Sequence, residues 1–159
     1  MVRNLLLSGM SAAAVVAAVL ASASADSAGS GVVQIAASMS AQDTFNKQCG
    51  ACHMAYPPVF LPARSWKAIT SDLAHHFGED ASLDKATTKI IADYLMANAA
   101  DRAPGVPDGV LRGIGPSDVP LRITDTPFWN RVHGNISATM FERPEVKTKS
   151  NCLGCHEGN

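Results

Sequence analysis

Two five-residue stretches constrain this chain more than anything else in it: Cys49-Gly50-Ala51-Cys52-His53 and Cys152-Leu153-Gly154-Cys155-His156. Each has the form Cys-x-x-Cys-His, the spacing by which a c-type haem is attached. The spacing has a chemical reason. Two thiols must reach the two vinyl groups on one edge of a porphyrin. The next residue, histidine, then lies under the ring and gives the iron an axial nitrogen. The two motifs consume all four cysteines of the chain. Histidine is 5 of 159 residues, so a histidine after both pairs by accident has odds of about 0.1%. The expectation is two covalently attached haem c groups, held through Cys49, Cys52, His53, Cys152, Cys155 and His156.

Two other chemistries use paired cysteines. A four-thiolate zinc site would leave both histidines unexplained. It would also have to close about 99 residues between its two halves, far beyond the usual zinc-ribbon spacing. A thioredoxin-like dithiol wants a βαβ pattern around the motif, and the β-type alternation is missing.

Residues 1–25 have the form of a signal peptide. Arg3 makes a positive start, residues 5–20 are apolar and alanine-rich, and Ala21-Ser22-Ala23 and Ala23-Ser24-Ala25 are small-x-small cleavage sites. The apolar run falls short of the ~20 residues a spanning helix needs. Cleavage near Ala25 is expected, with no stable membrane insertion afterwards. Export agrees with the motifs, since bacteria attach c-type haem outside the cytoplasmic membrane, where oxidised thiols persist. The expected location is the periplasm, with no free cysteines and no disulfides.

The 159 residues less these 25 leave about 134, some 67 per haem. A segment that small builds only a marginal core by itself, so each haem should act as the centre of its own core. Losing Arg3 leaves 12 basic residues against 14 acidic. That balance argues against a nucleic-acid partner, which selects a basic surface.

In chain order, residues 26–40 are a Ser-, Ala- and Gly-rich flexible lead. A helix is expected over 41–51, with Phe45 and Cys49 on one face, closed by the first motif. Ala55-Tyr56-Pro57-Pro58 breaks it, and a proline carbonyl there is a candidate acceptor for the Nδ1–H of His53. Ser65 is positioned to cap a second helix over 65–77, with Trp66, Ile69, Leu73 and Phe77 at helical spacing. On that helix His76 falls beside Ile69 on the apolar face, and His75 faces solvent. Gly78 is a natural stop. A third helix is expected over 83–98, burying Leu83, Ile90, Ile91, Tyr94 and Leu95.

Residues 101–125 are rich in Pro and Gly and carry little periodicity, which puts a domain boundary near 101. Thr126-Pro127 then forms a cap and first helical position, and Trp129 and His133 share a face four residues apart. The fold class is mainly α: a three-helix haem domain over 41–100, then a largely irregular second haem domain over 101–159.

Three helices with haem attached at the first resemble the class I cytochrome c fold. In that fold the far-side ligand comes from the segment before the last helix. His76 occupies that region, where the class I family usually has methionine. The stretches Cys49-Gly-Ala-Cys-His-Met-Ala-Tyr-Pro-Pro, Leu61-Pro-Ala-Arg-Ser-Trp66, His76-Phe-Gly78 and Thr124-Asp-Thr-Pro-Phe-Trp129 resemble the bacterial dihaem cytochrome c family over about residues 41–157. The resemblance implies two bis-histidine haems. It also implies electron transfer to redox partners, such as a small oxygen-binding haem protein or a membrane-bound cytochrome.

With His53 and His156 on the near sides, two irons need two far-side ligands from His75, His76 and His133. His76 and His133 are favoured, giving His53, His76, His133 and His156 as the iron ligands. Met140 is a rival for the second haem. Proximity in sequence pairs His53 with His76 and His133 with His156, while spacing alone also allows an exchange between domains. Two histidines per iron leave no open position, so the expectation is an electron carrier and not an enzyme. The alternative is a small dihaem peroxidase or gas-binding protein with one open iron.

Overall fold

The structure is a computed structural model that describes residues 39–156. The signal expected at 1–25 and the lead up to residue 38 lie outside the described residues. Among the described residues the fold is helical, with no strand beyond an isolated bridge between His76 and Glu79.

Helix α1 spans Ala41–Cys49. Its start is written locally: the Ser40 hydroxyl accepts from the Asp43 N–H at 3.0 Å. Asp43 in the first turn and Lys47 in the last complement the helix dipole. Helix α2 spans Ala63–Ser71 and α3 spans Lys85–Ala97. Asp84 caps α3 by accepting from Ala86 and Thr87. Helix α3 lies against both α1 and α2. Phe45, Leu61, Ala63, Trp66, Ile91, Leu95 and Ala99 form the core between them. The Trp66 indole N–H is buried but satisfied, donating to the Pro58 carbonyl at 2.8 Å.

Helix α2 differs from the expected 65–77 at both ends. Ser65 is not its cap; it is fully buried inside the first turn. The cap acceptor is distant in sequence: Asp101 Oδ1 takes the Ala63 N–H at 2.7 Å. At the other end the helix stops at Ser71 because its own side chains take up its carbonyls. Thr70 donates to the Trp66 carbonyl and Ser71 to that of Ala68, which competes with continued helix. Asp72 then leaves helical geometry (φ −141°, ψ 60°), and a 3-10 turn covers Leu73–His75.

Beyond α3 the chain is irregular, and arginines hold it by binding carbonyls. Arg64 on α2 donates to Asp118 at 2.5 Å and Gly115 at 2.7 Å. Arg131 reaches the carbonyls of Arg112 and Gly109. Gly113 takes φ +88°, and a side chain there would meet the Pro127 ring at 3.1 Å; only glycine suits both demands.

Pro127 opens α4, Pro127–His133, and a short α5 spans Ala138–Phe141. Thr126 is buried and double-bonded: it accepts from the Trp129 N–H and donates to the Ile123 carbonyl. Thr126→Ala should therefore lower holo-protein stability by about 1–2 kcal/mol in urea unfolding. Thr126→Ser should restore most of it.

Candidate haem sites

The first motif follows α1 directly, with Gly50 as the C-cap. Cys49 is half-buried and Cys52 exposed, and burial pushes the Cys49 thiol pKa up. His53 Nδ1 lies 2.6 Å from the Met54 carbonyl oxygen. The acceptor is thus the neighbouring methionine and not a proline carbonyl. The effect is the one such a partner supplies: Nδ1–H is fixed and Nε2 is left to give its lone pair.

His76 faces His53. It reaches there from a turn, not from a helix face. His76 and Glu79 exchange backbone hydrogen bonds of 2.9 and 3.1 Å around Phe77 and Gly78, whose φ values are 55° and 106°. Two successive residues with positive φ make a tight reversal, and this one ends the chain's approach with the His76 ring toward His53. The ring centroids are 6.1 Å apart and the planes 16° from parallel. Burial, then the neighbouring His53 and Arg122, push the His76 pKa down, favouring the neutral imidazole that can bind a metal. His75 points away: it is exposed and donates to Asp72 Oδ1 at 2.8 Å.

The second pair repeats the spacing with a different orientation. His133 ends α4 and lies flat on Trp129, centroids 4.7 Å apart and planes 12° from parallel. His156 follows the 3-10 turn Cys152–Gly154. The His133 and His156 ring centroids are again 6.1 Å apart, with planes at 77°. In this motif too the first cysteine is half-buried and the second exposed. Burial and then Cys155 push the Cys152 thiol pKa up.

The residues present fit a haem at each place. A metal–imidazole bond of about 2 Å, with the ring centre about 1 Å further on, separates two rings on opposite sides of one ion by about 6 Å. Among the described residues no three His, Cys, Asp or Glu side chains converge as a metal cluster. Zinc would need four donors, whereas a porphyrin brings four nitrogens and asks two of the protein. The exposed large apolar side chains, moreover, include Phe77 beside His76, Val132 beside His133, and Leu153 within the second motif. Met96 is no rival, since it packs on the first core; Met140 stands 38% exposed on α5.

The family model for dihaem cytochrome c matches residues 45–159. The chain belongs to the dihaem cytochrome c family. Solved structures agree. A diheme cytochrome c from Rhodobacter sphaeroides is 48% identical, with a TM-score of 0.65 over 71% of this chain and 88% of that one. A second structure, of DHC purified from the same organism, is 45% identical over the same shares, with a TM-score of 0.58. The diheme cytochrome sb-DHC from Shewanella baltica OS155 is 36% identical, with a TM-score of 0.60 over 74% of this chain and 82% of that one. No curated protein matches. As a dihaem cytochrome c the chain carries two c-type haems and is a haem-based electron-transfer protein. Among the described residues no helix is long and apolar enough to cross a membrane.

Sequence reasoning passed over two residues at the first site. Tyr56 lies on the His53 ring at 4.9 Å, and Arg122 sits over Phe77 at 4.2 Å. Tyr56 is only three residues from His53 but sits in an irregular Pro-rich stretch where no periodicity marks the contact, and Arg122 reaches Phe77 from a segment distant in sequence.

Proposed function

We propose that this dihaem cytochrome c works in the periplasm and carries electrons through two bis-histidine haems. Cys49 and Cys52 attach the first, with His53 and His76 as its axial ligands. Cys152 and Cys155 attach the second, with His156 and His133. The observation that carries this reading is the pair of 6.1 Å centroid distances, the spacing of two imidazoles across one iron. When bound, each haem supplies an iron that alternates between ferric and ferrous states.

The protein's part is to hold that iron unchanged in both states. The Met54 carbonyl fixes the His53 tautomer, the His76–Glu79 turn fixes the opposite ring, and Trp129 supports the face of His133. Two imidazoles leave no position for a substrate, and they give lower potentials than a methionine–histidine pair. We assign residues 41–100 to the first haem's domain and 101–159 to the second's. Partners of this reading are redox proteins met in brief, small contacts, either a small oxygen-binding haem protein or a membrane-bound cytochrome.

Visible spectra of the ferrous protein before and after carbon monoxide test the ligation. Low-spin spectra unchanged by the gas are expected. A shift would show an open iron and would favour the peroxidase or gas-binding alternative.

A further inference from the structure

The segment that carries the second attachment motif packs on the rest of the chain through the buried Val146 and through Lys149 over the Trp129 and Phe141 rings, but few hydrogen bonds fix it there. Residues 143–156 hold one another through local bonds such as Arg143–Glu145 and Asn151 to the Val146 carbonyl. Among the described residues, their one hydrogen bond to any part of the chain before residue 139 comes from Tyr56, whose hydroxyl donates to the Ser150 carbonyl at 2.7 Å. That carbonyl also accepts the Cys152 N–H at 3.1 Å and lies 3.7 Å from the Cys152 sulfur. The other end of Tyr56 lies on His53, ring centroids 4.9 Å apart and planes 24° from parallel. The same residue lines a cleft of about 270 Å³ between the first motif and the segment that leads into the second, with Cys52 and His53 on one wall and Lys147, Thr148 and Ser150 on the other.

We propose that Tyr56 is a positioning residue that clamps the first site's His53 to the attachment loop of the second, fixing the two haems relative to each other. The proposal rests on His53 as a ligand of the first haem. Its two halves are separable by chemistry. The ring orients His53, and the hydroxyl holds Ser150 and, through it, Cys152. A rigid spacing keeps exchange between the two haems uniform from molecule to molecule.

The test uses the holo-protein with Tyr56→Phe and Tyr56→Leu. Phenylalanine keeps the ring and removes the hydroxyl. Amide hydrogen exchange over 150–155 should rise about fivefold in Tyr56→Phe, the worth of one lost hydrogen bond, with α3 amides unchanged. The electron paramagnetic resonance signal of the first ferric haem should stay as in the wild type. In Tyr56→Leu the same exchange gain should appear, and the first haem's signal should now shift because His53 has lost its support.

Unchanged exchange at 150–155 in Tyr56→Phe would overturn the clamp. An unchanged first-haem signal in Tyr56→Leu would overturn the orienting role. Exchange that rises equally in α3 would also overturn the proposal, reducing Tyr56 to general packing. If His53 were not a ligand, the wild-type protein would already bind carbon monoxide at the first haem, so that failure is seen before any variant is made.

Discussion

His76→Ala should open one iron of the two and leave the other closed. The variant's ferrous spectrum should shift with carbon monoxide for the first haem only, and His133→Ala should do the same for the second. The geometry makes the effect near total. His76 is delivered by a reversal with two positive-φ residues, one of them the bulky Phe77, an uncommon conformation held by the His76–Glu79 bonds. Two alternative ligands are already engaged elsewhere: His75 is exposed and committed to Asp72, and Met96 packs on the core. His75→Ala should accordingly leave both spectra unchanged. A His76→Ala protein that stays low-spin and blind to carbon monoxide would refute the pairing. At the second haem, Met140 has the freedom to substitute, so a silent His133→Ala calls for the double variant with Met140→Ala before the assignment is dropped.

The ferric state should show which haem has been lost. Near-parallel imidazole planes split the iron d orbitals strongly and give a rhombic signal. Near-perpendicular planes leave them almost degenerate and give a broad signal at higher g. With planes at 16° in the first pair and 77° in the second, the wild-type protein should show one of each. His76→Ala should remove the rhombic one.

These assignments were legible in the sequence to different depths. The attachment motifs were visible because covalent chemistry fixes their spacing. The helical spacing over residues 65–77 puts His76 on an apolar helix face, yet the helix ends at Ser71 and the ring arrives by a turn. The sequence held the signal for that stop in Thr70-Ser71, two residues whose side chains compete for backbone bonds. It held no signal for the start of α2, because the capping carboxylate belongs to Asp101. Tyr56 was hidden for the same reason: its partner, Ser150, is 94 residues away. The Pro- and Gly-rich stretch declared itself irregular, but not that Arg64 and Arg131 would pin it. Local chemistry can be read along the chain, whereas a bond between distant segments exists only once the fold has brought them together.

Deprived of haem, the chain should not fold cooperatively. Expressed without haem attachment, or with all four cysteines changed to alanine, it should give a broad urea transition. A folded domain of this size would instead unfold sharply, with a slope of about 1–3 kcal/mol per molar urea. The reason lies in how little apolar surface the chain buries on its own. Its core side chains are mostly in the first half, with Phe45, Leu61, Trp66, Ile91 and Leu95, while Val110, Trp129 and Val146 serve the rest. Val119, Leu121, Val132, Ile136 and Leu153 are at least 40% exposed. Each would contribute about 1.5–3 kcal/mol if fully covered, against about 1–2 kcal/mol to order each backbone residue. A haem plate at each histidine pair would cover apolar surface that the polypeptide leaves open. The loss should be unequal. Hydrogen exchange of the haem-free chain should leave residual protection in α3, which has α1 and α2 to lean on, and none over 127–156. Changing only Cys152 and Cys155 to alanine should melt that second segment while the first haem keeps its spectrum. A haem-free chain that unfolds in one sharp transition would mean the polypeptide core suffices, and would leave the haems as passengers on a fold they do not build.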